Sequence, residues 1–115
     1  DGQVCSHLQL PTTLPTFDEL IGLDGIDEDT VAQPLLARTE SDRDQVFTLH
    51  AELEGALLAP AFARLIDGWI AQGHALVPLS SLASTLDPAQ LPVKRLAWGE
   101  VAGRSGELMV EPAGV

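Results

Sequence analysis

Three side chains able to do chemistry fall at alternate positions of one short stretch, Val46-Phe-Thr-Leu-His-Ala-Glu-Leu-Glu-Gly55: these are His50, Glu52 and Glu54. An imidazole exchanges a proton near neutral pH, so a histidine in a cleft can protonate the departing amine when an acyl group is removed. If the chain stays extended, a period of two projects His50, Glu52 and Glu54 to one side. The two carboxylates then have three open roles: orienting the imidazole, contacting polar groups of a substrate, or facing solvent. The alternative for His50 is structural, a ring that hydrogen-bonds a neighbouring loop.

The stretch that delivers His50 is strand-like. Gln45 to His50 is rich in Val, Phe and Thr and is set off by the charged Ser41-Asp-Arg-Asp44. In parallel α/β folds, polar residues at the carboxyl end of a strand line the site, because the loops there open onto the ligand-binding face. His50 would hold that position. The other histidines have less to recommend them: His7 sits on a short alternating run, His7 to Leu10, and His74 follows Gly73, where an imidazole suits a helix C-terminus. Nothing in the sequence resembles a metal site, with no HxxxH, no HxH and no paired carboxylate with a histidine at helical spacing, nor is there a phosphate loop or a GxSxG elbow.

The remaining elements read in order. Thr16-Phe-Asp-Glu19 has the spacing of a capping box and opens a short helix through Leu20 and Ile21. Asp27-Glu-Asp29 precedes Val31, Leu35 and Leu36, with Arg38 at the far end, which matches the dipole of a second helix. Pro34 fits only in its first turn, or with a kink. Pro60 to Gln72 is the clearest helix, with Phe62, Leu65, Ile66, Trp69 and Ile70 on one face, read as core. Ala75 to Pro78 reads as a third strand, Ser80 to Leu86 as a short helix, and 93–115 as a loop-rich tail with a last strand around Leu108 to Val110. This order predicts an α/β fold with short, parallel, buried strands. Three strands cannot close a barrel but could be consecutive staves of one.

Composition narrows the partners. Seventeen acidic residues against six basic give a formal charge of −11, which repels phosphate backbones, so no nucleic acid is expected as a partner. A single cysteine, Cys5, excludes an internal disulfide and any cysteine-based zinc knuckle and is expected to fill a strand. No window reaches the roughly twenty apolar residues of a membrane span, and no signal-peptide pattern opens the chain. The chain begins at Asp1 without an evident opening unit, and is expected to be a piece of a longer protein.

Four segments in order, Leu14-Pro-Thr-Phe-Asp-Glu-Leu-Ile-Gly22, Phe47-Thr-Leu-His-Ala-Glu-Leu-Glu-Gly55, Pro78-Leu-Ser-Ser-Leu82 and Gly103-Arg-Ser-Gly-Glu-Leu108, resemble the polysaccharide deacetylase (NodB-homology) family. The likeness is to the C-terminal part of its lipid-linked amino-sugar deformylases. It implies that residues 1–115 are the C-terminal part of one deacetylase domain, the last portion of a distorted (β/α) barrel. It implies a divalent metal held by an Asp-His-His set whose ligands are not in this chain. It further implies a metal-dependent hydrolase that removes an N-formyl group from undecaprenyl-phosphate-linked 4-formamido-4-deoxy-L-arabinose. That reaction belongs to lipid A modification and polymyxin resistance, and a cytoplasmic site at the inner-membrane face, with peripheral membrane contact through the parent, goes with it. Thr48-Leu-His50 matches the family's late-strand Leu-x-His, which implies that His50 is the general acid. The His-x-Glu-x-Glu-Gly run is similar to that of the deformylase subgroup and implies substrate-binding or His50-orienting roles for Glu52 and Glu54. Phe17 and the tail after Gly106 depart from the subgroup, which leaves a related deacetylase open. The rival from another class is a self-contained acidic α/β binding domain in which His50 is structural.

Overall fold

The computed structural model describes residues 2–112. Its first helix begins where the capping residues put it: the Glu19 carboxylate accepts the Thr16 N–H at 3.3 Å and opens α1, Phe17–Leu20, whose two end residues are buried. Asp27 caps the next turn. Its Oδ1 accepts the N–H groups of Asp29 and Thr30 at 3.0 Å each and the Thr30 hydroxyl at 2.9 Å, and Val31 N–H returns to the Asp27 carbonyl. From that turn α2 runs Ala32–Arg38. Pro34 lies in its first turn, where a missing N–H breaks no helical bond.

Helix α3 spans Ala59–Ala71 with Pro60 near its start. Its buried row is Ala61, Leu65 and Trp69, spaced by four; Ile70, read as part of the inward stripe, is 59% exposed. A row at one spacing occupies the narrow line along which α2 packs, and Ile70 lies beyond it. Phe17, Val31, Leu35 and Leu65 are fully buried between these helices. Phe47 joins them, its ring 5.7 Å from that of Phe17 and 5.5 Å, edge-on, from that of Trp69. The Trp69 indole N–H donates to the Thr39 hydroxyl at 3.0 Å, and that hydroxyl donates to Gln72 at 2.8 Å, so the indole and the buried Thr39 hydroxyl are both satisfied. A short helix α4, Leu79–Ser84, follows, and the chain closes on an antiparallel hairpin. Its strands are β1, Ala97–Glu100, and β2, Glu107–Val110, with Ala97 opposite Val110 and Glu100 opposite Glu107.

Helices and strands are both present, as expected of an α/β chain; the last strand read from the sequence, around Leu108 to Val110, is found as β2, but the three earlier ones are not. His7–Leu10, Gln45–His50 and Ala75–Pro78 form no ladder among the described residues, and the sheet found there is the two-stranded hairpin. A strand exists by its neighbour's hydrogen bonds. Segment 45–50 has only fragments of one: the Val46 carbonyl accepts the N–H groups of Thr13 and Leu14, and Val46 N–H donates to the Thr13 hydroxyl. The parallel sheet is therefore corrected to an antiparallel hairpin in what was read as a loop-rich tail. Cys5 is exposed and lies in no strand. Among the described residues no helix is long and apolar enough to cross a membrane.

Candidate functional site

His50 stands where extended chain becomes helix. Its carbonyl accepts the N–H groups of Leu53 at 2.9 Å and Glu54 at 3.0 Å, so the backbone coils immediately after it. The Leu58 N–H then reaches the Leu53 carbonyl at 2.9 Å, five residues back, and Leu53–Leu57 forms a single widened turn of π type. The expectation that His50, Glu52 and Glu54 share one side of an extended chain fails for this reason. On a helix, neighbours two apart diverge by roughly 200° while those four apart lie over one another. Glu52 is exposed. Glu54 is only 2% exposed, and its Oε2 accepts the His50 N–H at 2.7 Å.

The imidazole meets a different carboxylate. His50 Nδ1 lies 3.6 Å from Asp18 Oδ1, an oxygen that also accepts the Thr16 hydroxyl at 2.6 Å. Arg104, from the loop joining β1 to β2, closes the cluster: its Nε donates to Glu19 Oε1 at 2.8 Å and its Nη2 lies 3.9 Å from Asp18 Oδ2. Asp18 and Glu19 are adjacent on α1, so one guanidinium spans both. The loop sits close because Gly103 packs directly against the Glu19 backbone carbonyl, with φ of +83° and no room for a Cβ.

Charge in this cluster follows from those contacts. The Thr16 hydroxyl, more than any other group, holds the Asp18 carboxyl below the usual carboxylate range; Arg104 and His50 add to this and partial burial opposes it. The Arg104 guanidinium is pushed up by its hydrogen bond to Glu19 and by the charges of Glu19 and Asp18. Asp18 is thus an anion at neutral pH, facing Nδ1. At 3.6 Å the pair is longer than a hydrogen bond and acts as an electrostatic guide to the ring. Nδ1 itself is buried without a hydrogen-bond partner, while 30% of the side chain is exposed. The ring's second nitrogen, Nε2, is the one left for an outside group. An imidazole held by a carboxylate on one nitrogen can transfer a proton through the other.

The other sequence candidates lie apart. His7 is exposed. His74 does meet a helix end, but that of α2: its Nε2 is 2.6 Å from the Thr39 carbonyl, which only accepts, so this nitrogen carries the proton. Asp18, Glu19, Thr16 and Arg104 escaped the sequence reading as site residues. The first three had an adequate local explanation as a capping box. The available signal was that Asp18 and Arg104 both fall inside the segments that carry the family resemblance. Among the described residues no three His, Cys, Asp or Glu side chains are placed to hold a metal ion.

Over 100 residues, 87% of its length, the chain is 35% identical to a probable 4-deoxy-4-formamido-L-arabinose-phosphoundecaprenol deformylase, ArnD, of Shewanella sediminis, covering 32% of that protein. Over 111 residues, 92% of the chain, it is 31% identical to the probable deformylase of the same name from Wigglesworthia glossinidia brevipalpis, covering 36% of it. The chain is thus ArnD-like along nearly all of its length and spans about a third of the length of the curated relatives it matches. No protein-family model matches it. No solved structure gives a significant match.

Proposed function

We propose that this ArnD-like chain carries the general acid of an amide hydrolase that removes an N-formyl group from a lipid-linked amino sugar, 4-formamido-4-deoxy-L-arabinose on undecaprenyl phosphate. In this reading it is the C-terminal portion of a longer enzyme of the polysaccharide deacetylase type. The rest of the barrel, the base and any metal ligands lie in other parts of that enzyme, which works at the cytoplasmic face of the inner membrane. Water adds to the formyl carbon and gives up its proton to a base outside this chain. The bond from that carbon to the sugar nitrogen then breaks, His50 delivers a proton from Nε2 to the departing nitrogen, and formate and a free amine result. Asp18 orients the ring, and Arg104 and Thr16 hold Asp18 in place.

The observation that carries this reading is the half-buried His50 ring with Nδ1 turned to the anionic Asp18, each residue within a segment resembling the deformylases. The test is turnover of the full-length enzyme on the N-formyl substrate, followed as formate release. His50→Ala is expected to lower kcat by about a hundredfold to ten-thousandfold, the usual worth of one general acid. Asp18→Asn is expected to lower kcat less, with KM little changed. Full turnover in His50→Ala would remove the assignment.

A further inference from the structure

Glu54 is the oddest residue in the described structure. It is a carboxylate at 2% exposure, with one oxygen engaged and the other, Oε1, buried without any hydrogen-bond partner. A helix start needs no such group, since a surface Ser, Thr or Asp caps one at far lower cost. Groups that break the rule of satisfied burial in this way concentrate where geometry matters more than stability.

Its side chain and its N–H both bear on one residue. Glu54 Oε2 accepts the His50 N–H at 2.7 Å, and the Glu54 N–H donates to the His50 carbonyl at 3.0 Å. Both backbone polar groups of His50 are therefore held by Glu54, from a side chain and a main chain that the π turn brings over it. The ring is fixed from the opposite direction by Asp18. We infer that Glu54 is a positioning residue, clamping the backbone of His50 so that its ring is presented at a fixed height and angle to the substrate. Both carboxylate oxygens are withdrawn from the surface, Oε2 in the bond to His50 and Oε1 by burial. Glu54 thus acts through His50 and not on substrate. Glu52, on the exposed side of the same turn, takes no part in the clamp.

The inference rests on His50 being the general acid, and the experiment separates the two. In the full-length enzyme, kcat and KM for the N-formyl lipid-linked sugar are measured for His50→Ala, Glu54→Gln, Glu54→Asp and the double variant H50A/E54D. The glutamine retains an oxygen acceptor at the same reach, and its kcat is expected to stay within about threefold of the parent. The aspartate keeps the carboxylate but falls one methylene short of the His50 N–H. Its kcat is expected to fall by about ten- to a hundredfold, the scale of an ångström of misplacement, with KM changed less than twofold. In the His50→Ala background Glu54→Asp should cost less than twofold more, because the residue through which it acts is gone. A rise in KM at constant kcat, a glutamine variant as poor as the aspartate, or a full additional loss in the double variant would each overturn the clamp while leaving His50 in its role. Full activity of His50→Ala would overturn both.

Discussion

Two glycines in the β1–β2 loop form a matched pair from which the hold of that loop on α1 can be measured. Gly103 and Gly106 have nearly the same positive φ, +83° and +77°, but a Cβ on Gly103 would collide with the backbone of Glu19 whereas one on Gly106 meets nothing within 4 Å. Gly106→Ala therefore carries only the left-handed backbone penalty, about 1 kcal/mol. Gly103→Ala carries the same penalty plus relief of a clash against backbone, which cannot move aside as a side-chain tip would. The cheapest relief is for the loop to lift, breaking the 2.8 Å bond from Arg104 to Glu19. A hydrogen bond to a charged partner is worth about 1.5–3 kcal/mol, and partial exposure of Arg104 reduces this to about 1–2 kcal/mol. Gly103→Ala should thus destabilise by about 2–3 kcal/mol, exceeding Gly106→Ala by about 1–2 kcal/mol. Equilibrium urea unfolding of the whole enzyme, read as midpoint shifts at constant slope, measures both. Because lifting the loop already breaks the Arg104 bond, Arg104→Ala should add less than about 0.5 kcal/mol in the Gly103→Ala background. Equal costs for the two glycine variants, or simple additivity with Arg104→Ala, would refute the contact.

Two further expectations come from the core and from the caps. Leu65→Ala, at a fully buried position on α3, should cost about 2–5 kcal/mol in urea unfolding, whereas Ile70→Ala, 59% exposed five residues on, should cost less than about 0.5 kcal/mol. Acid titration of stability should show the caps: the carboxyls of Asp18 and Asp27 lie below their ordinary value of 3.8, each held down chiefly by a threonine hydroxyl. A depressed folded-state value means that their contribution is complete above about pH 4 and is lost as pH falls through the folded value, where the unfolded chain binds protons first. Asp27→Asn, which keeps the capping oxygen, should therefore leave neutral stability nearly intact and flatten the fall below about pH 4 in denaturant melts; an unchanged fall would exclude the role of Asp27.

Much of the helical framework was legible in the residues, because its causes are local. Thr16 and Glu19 opened a helix where their spacing required, Asp27 capped the next turn, and Pro60 stood near the start of α3, one residue from its expected position. His50 stood out by type and by its neighbours. The strand read around Leu108 to Val110 is there as β2, but the three earlier strand readings failed because alternation and β-branched residues describe a chain that can be extended, while a strand needs a hydrogen-bonding neighbour. For segments 7–10, 45–50 and 75–78 that neighbour is not among the described residues.

By itself, then, the sequence determined the caps, the helix faces, the acidic charge and the one histidine worth pursuing. Tertiary structure alone decided what surrounds that histidine. It turned the chain helical at His50, which separated Glu52 from Glu54 and buried the latter against the His50 backbone. It also brought Asp18 to the ring and Arg104 to Asp18 and Glu19, the Arg104–Glu19 bond joining residues 85 apart in sequence. Spacing arguments reach as far as one helical turn or one strand; a charge pair closed by the packing of a distant loop leaves no periodic trace in the chain.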